Sequence, residues 1–227
     1  MTDIQAAFAD PQMVADYTQG PPRFVPGYNS MRSMAAILLA ERAPEEARIL
    51  VLGAGGGLEL QAFAQARPRW TFDGVDPSAA MLDLAKQTLG PFASRTRLHQ
   101  GYIDDAPTGP FDGATCLLTL HFVDVRERRR IASEIRRRLK PGAPFVAAHF
   151  SIPGDDDERP LWLSRYSAFL AASGVEPDKA AAARKAVDGG LSILAPEQDE
   201  AILSDAGFSD PTLFYTGFTF RGWVAYA

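Results

Sequence analysis

A run of glycines directly after an apolar segment restricts the fold of this chain more than any other feature. Residues 47–55, ARILVLGAG, read as a buried strand, and Gly53, Gly55 and Gly57 lie at and just beyond its end. A helical pattern starts at Leu58, so the glycines mark a strand-to-helix turn. Glycine lets such a turn approach a ligand closely, and the helix N-terminus presents amide donors there. The segment is therefore either a ligand-binding loop or an ordinary tight turn.

Apolar runs and helical patterns alternate after this loop, which predicts an α/β domain. Continuously apolar strands separated by helices indicate a parallel sheet covered on both faces. The 227 residues suffice for one such domain. We expect a three-layer, Rossmann-like fold with about seven strands. Beyond the first, the predicted strands are 70–76, 96–101, 111–120 and 144–150, and the predicted helices are 58–66, 78–89 and 125–139.

The C-terminal third has a different pattern. Residues 151–195 read as helical, and residues 196–208 read as a helix that closes at Ala206-Gly207. Residues 213–227 read as two strands with a short turn or a bulge around Gly217 and Gly222. The chain is therefore expected to end in an antiparallel hairpin.

A carboxylate at the end of the second strand adds chemistry to the glycine loop. Asp76 lies 23 positions after Gly53, and a carboxylate there can accept both ribose hydroxyls of a nucleoside. Its alternative role is to cap helix 78–89. The G-x-G-x-x-G spacing of dinucleotide sites is not met, because Leu58 stands at its last position. Loop and acid together predict nucleoside binding.

Five segments resemble the successive motifs of class I S-adenosylmethionine-dependent methyltransferases, over about residues 20–227. They are ILVLGAGGGLEL, FDGVDPSAAML, FDGATCLLTLHFVD, LRRRLKPGAPFVAAHF and LSDAGF…FRGWVAYA. The resemblance implies the class I methyltransferase fold, with residues 1–45 as a helical cap and 46–227 as the cofactor-binding domain. Phe24-Val25-Pro26-Gly27-Tyr28 and the Phe-rich hairpin are similar to the carboxy-S-adenosylmethionine synthase group.

The resemblance also implies a cofactor and a site. The cofactor would be S-adenosylmethionine, with S-adenosylhomocysteine as product. The acceptor side would include Tyr28, His149, Trp162 and Tyr166. The alternative for His149 is a structural histidine, and for Trp162 and Tyr166 it is packing in the core. Arg184 stands where the synthase group has an arginine for an extra carboxylate. The implied cofactor residues are Tyr28, Gly53, Ala54, Gly55, Gly57, Asp76, Pro77, Met81, Tyr102, Ile103, Leu117 and Leu118.

Three positions depart from the family pattern. Val51 replaces an acid that helps to position the loop and the cofactor's amino group. Tyr102 replaces an aspartate of the adenine segment, although Asp104 offers a carboxylate nearby, and Leu117 replaces a polar residue of the synthase group. Three hypotheses follow: methyl transfer to a small-molecule acceptor, carboxylation of S-adenosylmethionine for tRNA wobble-uridine modification, and nucleoside binding without catalysis.

Other reactive residues are weighed against structural roles. His121 follows the fourth strand and is our candidate general base, its alternative being a structural histidine. His99 lies in the short third strand and Cys116 in a buried-looking strand, and structural roles are expected for both. No metal-ligand spacing occurs, and the acidic run Asp155-Asp156-Asp157 reads as a solvated loop.

Charge and composition limit the partners. The net charge of −5 does not favour bulk nucleic-acid binding. Arginines at 126–130 and 136–138 either contact RNA phosphates or form a solvated helix face, which interleaved Glu127 and Glu134 favour. A single cysteine, no signal-peptide pattern and no apolar run of eighteen residues suggest a cytoplasmic protein without a membrane span. The family analogy is compatible with a homodimer.

Overall fold

Seven strands form one sheet in the computed structural model, which describes residues 14, 17–154 and 158–227. Each of the first five strands lies within a segment that the sequence pattern predicts to be a strand. The strands are β1 (Arg48–Leu52), β2 (Thr71–Asp76), β3 (Thr96–Gln100), β4 (Gly113–Leu117), β5 (Pro144–Phe150), β6 (Ser209–Gly217) and β7 (Phe220–Tyr226).

The sheet order is β3-β2-β1-β4-β5-β7-β6. The pairings from β3 to β5 are all parallel, whereas β7 runs antiparallel to both β5 and β6. Strand order therefore reverses between β1 and β4, which is where open α/β sheets bind ligands. The predicted mainly parallel sheet with an antiparallel C-terminal hairpin is confirmed.

Helices cover both faces of the sheet. Two apolar clusters lie on opposite sides of β1: Ile49 and Val51 belong to one, and Leu50 and Leu52 to the other. Alternate burial along this central strand makes the molecule three-layered. The helices are α1 (Gly20–Phe24), α2 (Tyr28–Ala40), α3 (Leu58–Ala66), α4 (Ala79–Leu89), α5 (Val125–Arg138), α6 (Arg159–Ala172), α7 (Pro177–Gly190) and α8 (Pro196–Asp205).

The predicted helical region 151–195 is two helices and not one. Helix α6 ends at Ala172, because Gly174 adopts a φ of +86° and Val175 N–H closes the turn onto the Leu170 carbonyl at 3.0 Å. Pro177 then starts α7. The sequence pattern could not place this break because apolar residues continue on both sides.

The C-terminal hairpin turns at residues 218–219, directly after Gly217. Gly222 lies inside β7, where the register with β6 shifts between Leu213 and Tyr215. A side chain at Gly222 would come within 2.8 Å of the Phe214 ring. The sequence therefore indicates both the turn and the bulge. The division into a cap of residues 1–45 and a domain of residues 46–227 stays a prediction.

Candidate functional site: a pocket at the strand-order reversal

The glycine loop leaves β1 in a backbone conformation that side chains rarely adopt. Gly53, Gly55 and Gly57 have φ values of +78°, +48° and +82°. A Cβ at Gly57 would come within 2.9 Å of the Ala85 Cα in α4, so this glycine allows helix packing. The Gly53 amide donates to the Val75 carbonyl at 2.8 Å, which ties the loop to β2.

Asp76 faces this loop from the end of β2. One carboxylate oxygen accepts the Gly55 N–H and the other accepts the Ser78 N–H, both at 2.9 Å. The cap of α4 is Ser78, whose hydroxyl accepts the Met81 N–H at 3.3 Å. Burial raises the pKa of Asp76, although the two backbone donors lower it. Asp76 is thus oriented by the loop and remains available to a ligand, while the predicted alternative, a plain cap, falls to Ser78.

A pocket of about 720 Å³ lies beside the loop and Asp76, in the size range of small-molecule sites. It gathers every predicted cofactor residue except Gly57, which packs on α4 instead. Apolar side chains form most of its wall. Its lining includes Tyr28, Gly53, Ala54, Gly55, Asp76, Pro77, Met81, Tyr102, Ile103, Leu117 and Leu118, together with Tyr17, Arg32, Glu59, Thr119, Phe122 and Glu127.

The segment that was predicted to contact adenine, residues 102–105, contains two carboxylates with different partners. Tyr102 N–H donates to the Asp105 carboxylate at 2.9 Å, and the Tyr102 side chain is exposed at the pocket rim. Asp104, the candidate substitute acid, instead pairs with Arg130 at 2.8 Å and does not line the pocket. Glu127 of α5 also pairs with Arg130. The Asp104 carboxylate therefore belongs to an ion-pair group on α5 and not to the pocket wall.

Three charged residues that line the pocket, Arg32, Glu59 and Glu127, were not predicted as site residues from the sequence. Glu59 is buried in the first turn of α3, and its carboxylate accepts a hydrogen bond from the Thr115 hydroxyl. Burial raises the pKa of Glu59 to about 8, against the lowering effects of Thr115 and Arg32. Arg32 projects from α2, one turn after Tyr28. The available signals were an acid directly behind the glycine loop and the i,i+4 spacing of Tyr28 and Arg32.

His121 lies outside the pocket lining. It is buried, its Nδ1 accepts the Phe150 N–H at 3.3 Å, and its ring meets the Phe150 ring edge-on at 5.1 Å. Burial, helped by His149 and Arg128, holds the pKa of His121 well below its usual value. The structure therefore favours a neutral, structural imidazole, and a role as general base stays a prediction.

His149 belongs to a buried ionic cluster away from the pocket. The Asp199 Oδ1 atom lies 3.0 Å from His149 Nε2 and 2.5 Å from Arg128 Nη1. Arg128 also donates to the Ser192 carbonyl at 2.5 Å. Burial would raise the pKa of Asp199, but His149 and Arg128 hold it below its usual value. This arrangement joins α5, β5 and α8. His149 does not line the pocket, so the structure does not place it where it could contact an acceptor there.

The other predicted acceptor residues also lie outside the pocket lining. Tyr166 is buried edge-on against Phe150 and Phe220, with ring centroids 5.3 and 6.1 Å away. Trp162 is half-buried on α6, and Arg184 contacts the Pro160 carbonyl at 3.5 Å. The structure thus brings together the predicted cofactor residues and, of the predicted acceptor residues, Tyr28 alone.

The remaining candidates have structural surroundings. His99 Nε2 lies 2.8 Å from Asp73, and Cys116 is fully buried. Within the described ranges, no group of three His, Cys, Asp or Glu side chains is placed to hold a metal. The acidic run 155–157 lies outside the described residues. None of the described helices has the length and apolarity needed to cross a membrane.

The arginines of α5 form ion pairs both at the surface and in the interior of the protein. Arg130 pairs with Glu127 and Asp104, and Arg137 pairs with Glu134. Arg128 is not on the solvated face as predicted but is buried, because Asp199 neutralises it from α8. Acidic neighbours thus engage much of this helix's positive charge.

A glycine loop under a half-buried aspartate, at a strand-order reversal, defines a nucleoside-binding α/β protein. The antiparallel β7 between β5 and β6 defines it further as having the class I methyltransferase architecture. Residues 49–142 match the family described as a methyltransferase domain.

Sequence relatives agree with this class. The chain is 26% identical over 224 residues to the carboxy-S-adenosyl-L-methionine synthase of Chromohalobacter salexigens, covering 96% of this chain and 82% of that protein. It is also 26% identical over 208 residues to the synthase of Actinobacillus succinogenes, covering 89% and 86%.

Solved structures share the fold. A candidate O-methyltransferase from Nostoc punctiforme superposes with a TM-score of 0.70 at 24% identity, covering all of this chain and 61% of that one. Human N-acetylserotonin methyltransferase, solved with S-adenosylmethionine, gives 0.59 at 18% identity, covering 96% and 59%. The chain thus spans about three fifths of these two chains. The chain thus has the fold of class I S-adenosylmethionine-dependent methyltransferases, and it is similar in sequence to carboxy-S-adenosyl-L-methionine synthases.

Proposed function

We propose that this enzyme transfers the methyl group of S-adenosylmethionine to a small-molecule acceptor held in the pocket. The observation that carries the proposal is the pocket itself, which joins the glycine loop, Asp76 and an apolar wall in one cavity of about 720 Å³. The residues fit the cofactor chemically. Asp76 offers acceptors for ribose hydroxyls, and Arg32 and Glu59 offer opposite charges for a zwitterionic tail.

Positioning is the main work of the side chains in this proposal. When bound, S-adenosylmethionine supplies a sulfonium methyl group that a nucleophile takes in line, with the bonding pair returning to sulfur. Asp76 holds the ribose, and Ile103 and Pro77 flank the adenine. Leu117 and Leu118, at the end of β4, exclude water from the reacting end. Holding two reactants in line accounts for a large part of such a rate enhancement.

The pocket wall also limits the acceptor. None of the described residues that line it is a histidine or a cysteine, and the carboxyl groups lining it are those of Glu59, Asp76 and Glu127. We therefore expect an acceptor whose nucleophilic atom does not have to lose a proton before it attacks the methyl group. A partly apolar molecule fits the wall of Leu118, Phe122 and Val123.

A second candidate is carboxylation of S-adenosylmethionine, in service of tRNA wobble-uridine modification. The two relatives named as carboxy-S-adenosyl-L-methionine synthases favour it, since the alignments span most of both proteins. The position of Arg184 outside the pocket weakens it, as does the apolar Leu117. Cofactor binding without turnover is the third candidate.

The first experiment identifies the nucleoside that is purified with the protein. The full chain is purified without added cofactor and denatured, and mass spectrometry identifies the released small molecules. S-adenosylmethionine or S-adenosylhomocysteine is expected, and a labelled-methyl assay over a panel of small acceptors then tests turnover. Recovery of the carboxylated cofactor would put the second candidate first. Binding without turnover over the panel would support the third.

Asp76→Asn tests whether the ribose contact lies where we place it. The substitution is expected to weaken S-adenosylhomocysteine binding by roughly 10- to 100-fold, since charge-assisted hydrogen bonds are the strong ones. Asp83→Asn is the matched control, because Asp83 is exposed on α4 and pairs with Lys86. Equal affinities of the two variants, measured by calorimetry, would contradict the site.

The compartment and assembly complete the proposal. A single cysteine, fully buried, is compatible with the cytoplasm. The likeness to the synthase group supports a homodimer, and sedimentation equilibrium of the purified chain is the test.

A further inference from the structure

We infer that Arg32 and Glu59 form a two-part recognition site for a zwitterionic amino-acid group. Glu59 would bind an ammonium group and Arg32 a carboxylate, so that the pocket selects a nucleoside with an amino-acid tail over one without it. The inference rests on the proposed function, because it concerns how the same pocket holds its cofactor. It concerns residues that the motif pattern did not indicate.

The position of Glu59 compensates for an acid that β1 lacks. Val51 is fully buried, and its register partner on β4 is Thr115. The Thr115 hydroxyl donates to the Glu59 carboxylate, which brings this group from α3 to the level of Val51 and Thr115 on the sheet. An acid missing from the strand is therefore supplied by the first turn of the following helix, where the helix dipole favours negative charge.

Arg32 is held on three sides, and one of its buried donors is not used. Its terminal nitrogens donate to the Leu58 carbonyl and to the Asn29 side chain, each at 2.5 Å. Its guanidinium lies 4.4 Å from the centre of the Tyr28 ring. The Nε atom is buried and has no hydrogen-bond partner in the described part of the chain. A buried donor without a partner is costly, and an anionic ligand group would relieve that cost.

The two charges line one pocket without pairing with each other. Arg32 lowers the pKa of Glu59, so the two groups interact electrostatically. They form no direct ion pair among the described residues. A ligand that carries both charges satisfies both groups at once. Tyr17 and Tyr28 in the pocket and Cys116 behind it interact electrostatically with Glu59. The other titratable side chains that line the pocket are Asp76, Tyr102 and Glu127.

A protonation change should accompany the binding of such a ligand. Burial raises the pKa of Glu59 to about 8, so at pH 7 the free pocket holds this group mainly as the neutral acid. An ammonium group would favour the carboxylate and release a proton. Release of most of one proton per bound ligand is therefore expected at pH 7.

The experiment compares three probes that differ only around the tail. S-adenosylhomocysteine carries both charges, decarboxylated S-adenosylhomocysteine carries the ammonium but no carboxylate, and 5′-methylthioadenosine carries neither tail group. Glu59→Gln is expected to weaken the first two by roughly 10- to 100-fold and 5′-methylthioadenosine by less than about threefold. Arg32→Gln should weaken S-adenosylhomocysteine by a similar factor and leave the decarboxylated probe nearly unchanged.

Two control variants separate recognition from structure. Thr115→Val removes the hydrogen bond to Glu59 but leaves the Glu59 carboxyl group in place. Arg42→Gln removes an arginine that stacks on Tyr226 outside the pocket. Arg42→Gln should bind all three probes like the wild type. Thr115→Val should retain a preference for S-adenosylhomocysteine over 5′-methylthioadenosine that Glu59→Gln loses.

Proton release by the wild type tests the inference even if a variant fails to fold. Calorimetry in buffers of different ionisation enthalpy should show release with S-adenosylhomocysteine and none with 5′-methylthioadenosine. Equal proton release with both probes, or equal weakening of both by Glu59→Gln, overturns the inference while the proposed function stands. If wild-type protein binds none of the three probes, the proposed function itself fails.

Discussion

At the carboxyl ends of β1 and β2 the polar side chains face a cavity, whereas at the carboxyl end of β5 they face one another. Asp76 and Glu59 both line the pocket. His149 bonds to Asp199, and Asp199 to Arg128, with all three side chains nearly inaccessible. Both regions carry residues typical of active sites, so the residue type alone does not separate them.

The difference arises from what covers each edge. After β1 the chain passes into a glycine loop, in which only the small side chain of Ala54 occupies the space beside β2. Beside β5, the antiparallel β7 and helix α8 close the layer, and Phe150 and Phe220 pack at 4.1 Å. A polar group enclosed in this way must find its partners inside the protein. The same residue types therefore serve a ligand at one end and the core at the other.

The largest expected effect comes from opening the ionic cluster. Asp199→Asn removes the charge that neutralises Arg128 and is expected to lower the free energy of unfolding by about 3–5 kcal/mol. Urea denaturation at pH 7 measures it. Asp188→Asn is the matched control, since Asp188 pairs with Arg159 at the surface, and its effect should stay within about 0.5 kcal/mol.

The comparison would fail if Asp199→Asn left stability unchanged but weakened cofactor binding. That result would mean that the cluster acts on the pocket. Acid should reproduce the effect in the wild type. The pKa of Asp199 lies below its usual value, so its contribution is present above the unfolded-state pKa and is lost as pH falls through the folded-state pKa.

Glu59 gives the opposite pH dependence. Its folded-state pKa of about 8 lies above the ordinary 4.5, so folding favours the protonated acid. Its stabilising effect is full below pH 4.5 and is lost as pH rises to about 8, with a slope of up to ~1.4 kcal/mol per pH unit. Urea denaturation at several pH values between 5 and 8, without cofactor, should show this slope for the wild type relative to Glu59→Gln. Parallel curves for the two proteins would contradict a buried acid in the pocket.

Sequence patterns predicted one region much better than the other. The strand-loop-helix unit around Gly53, Gly55 and Asp76 is local, so its geometry follows from a short stretch and its spacing. Glu59 and Arg32 line the same pocket only because two helices separated by β1 pack together, and no local pattern predicts that packing. His121 was expected near the reacting groups because it follows a strand, but the Phe150 amide and the neighbouring aromatic rings enclose it.

His121→Gln decides between the catalytic and the structural role. If His121 is structural, the variant loses about 1–2 kcal/mol of stability through a weakened hydrogen bond and ring contact, with kcat nearly unchanged. A general base would instead cost ~10²–10⁴-fold in kcat. His99→Gln is the matched control, because His99 contacts Asp73 on the neighbouring strand. Steady-state kinetics with an acceptor from the panel, beside urea denaturation, separates the outcomes.

The smallest effect is expected on the outer face of α5. Arg130 pairs with Glu127 and Asp104 at 2.7 and 2.8 Å, but its side chain is 40% exposed, so solvent screens these pairs. Arg130→Gln should cost only about 0.2–1 kcal/mol in urea denaturation and should not change retention on an RNA column. Arg128 lies two positions earlier with 1% side-chain exposure, so Arg128→Gln should cost several times more. A loss of RNA retention in Arg130→Gln alone would show that this face binds phosphates, and the tRNA-linked candidate would then gain its first direct support.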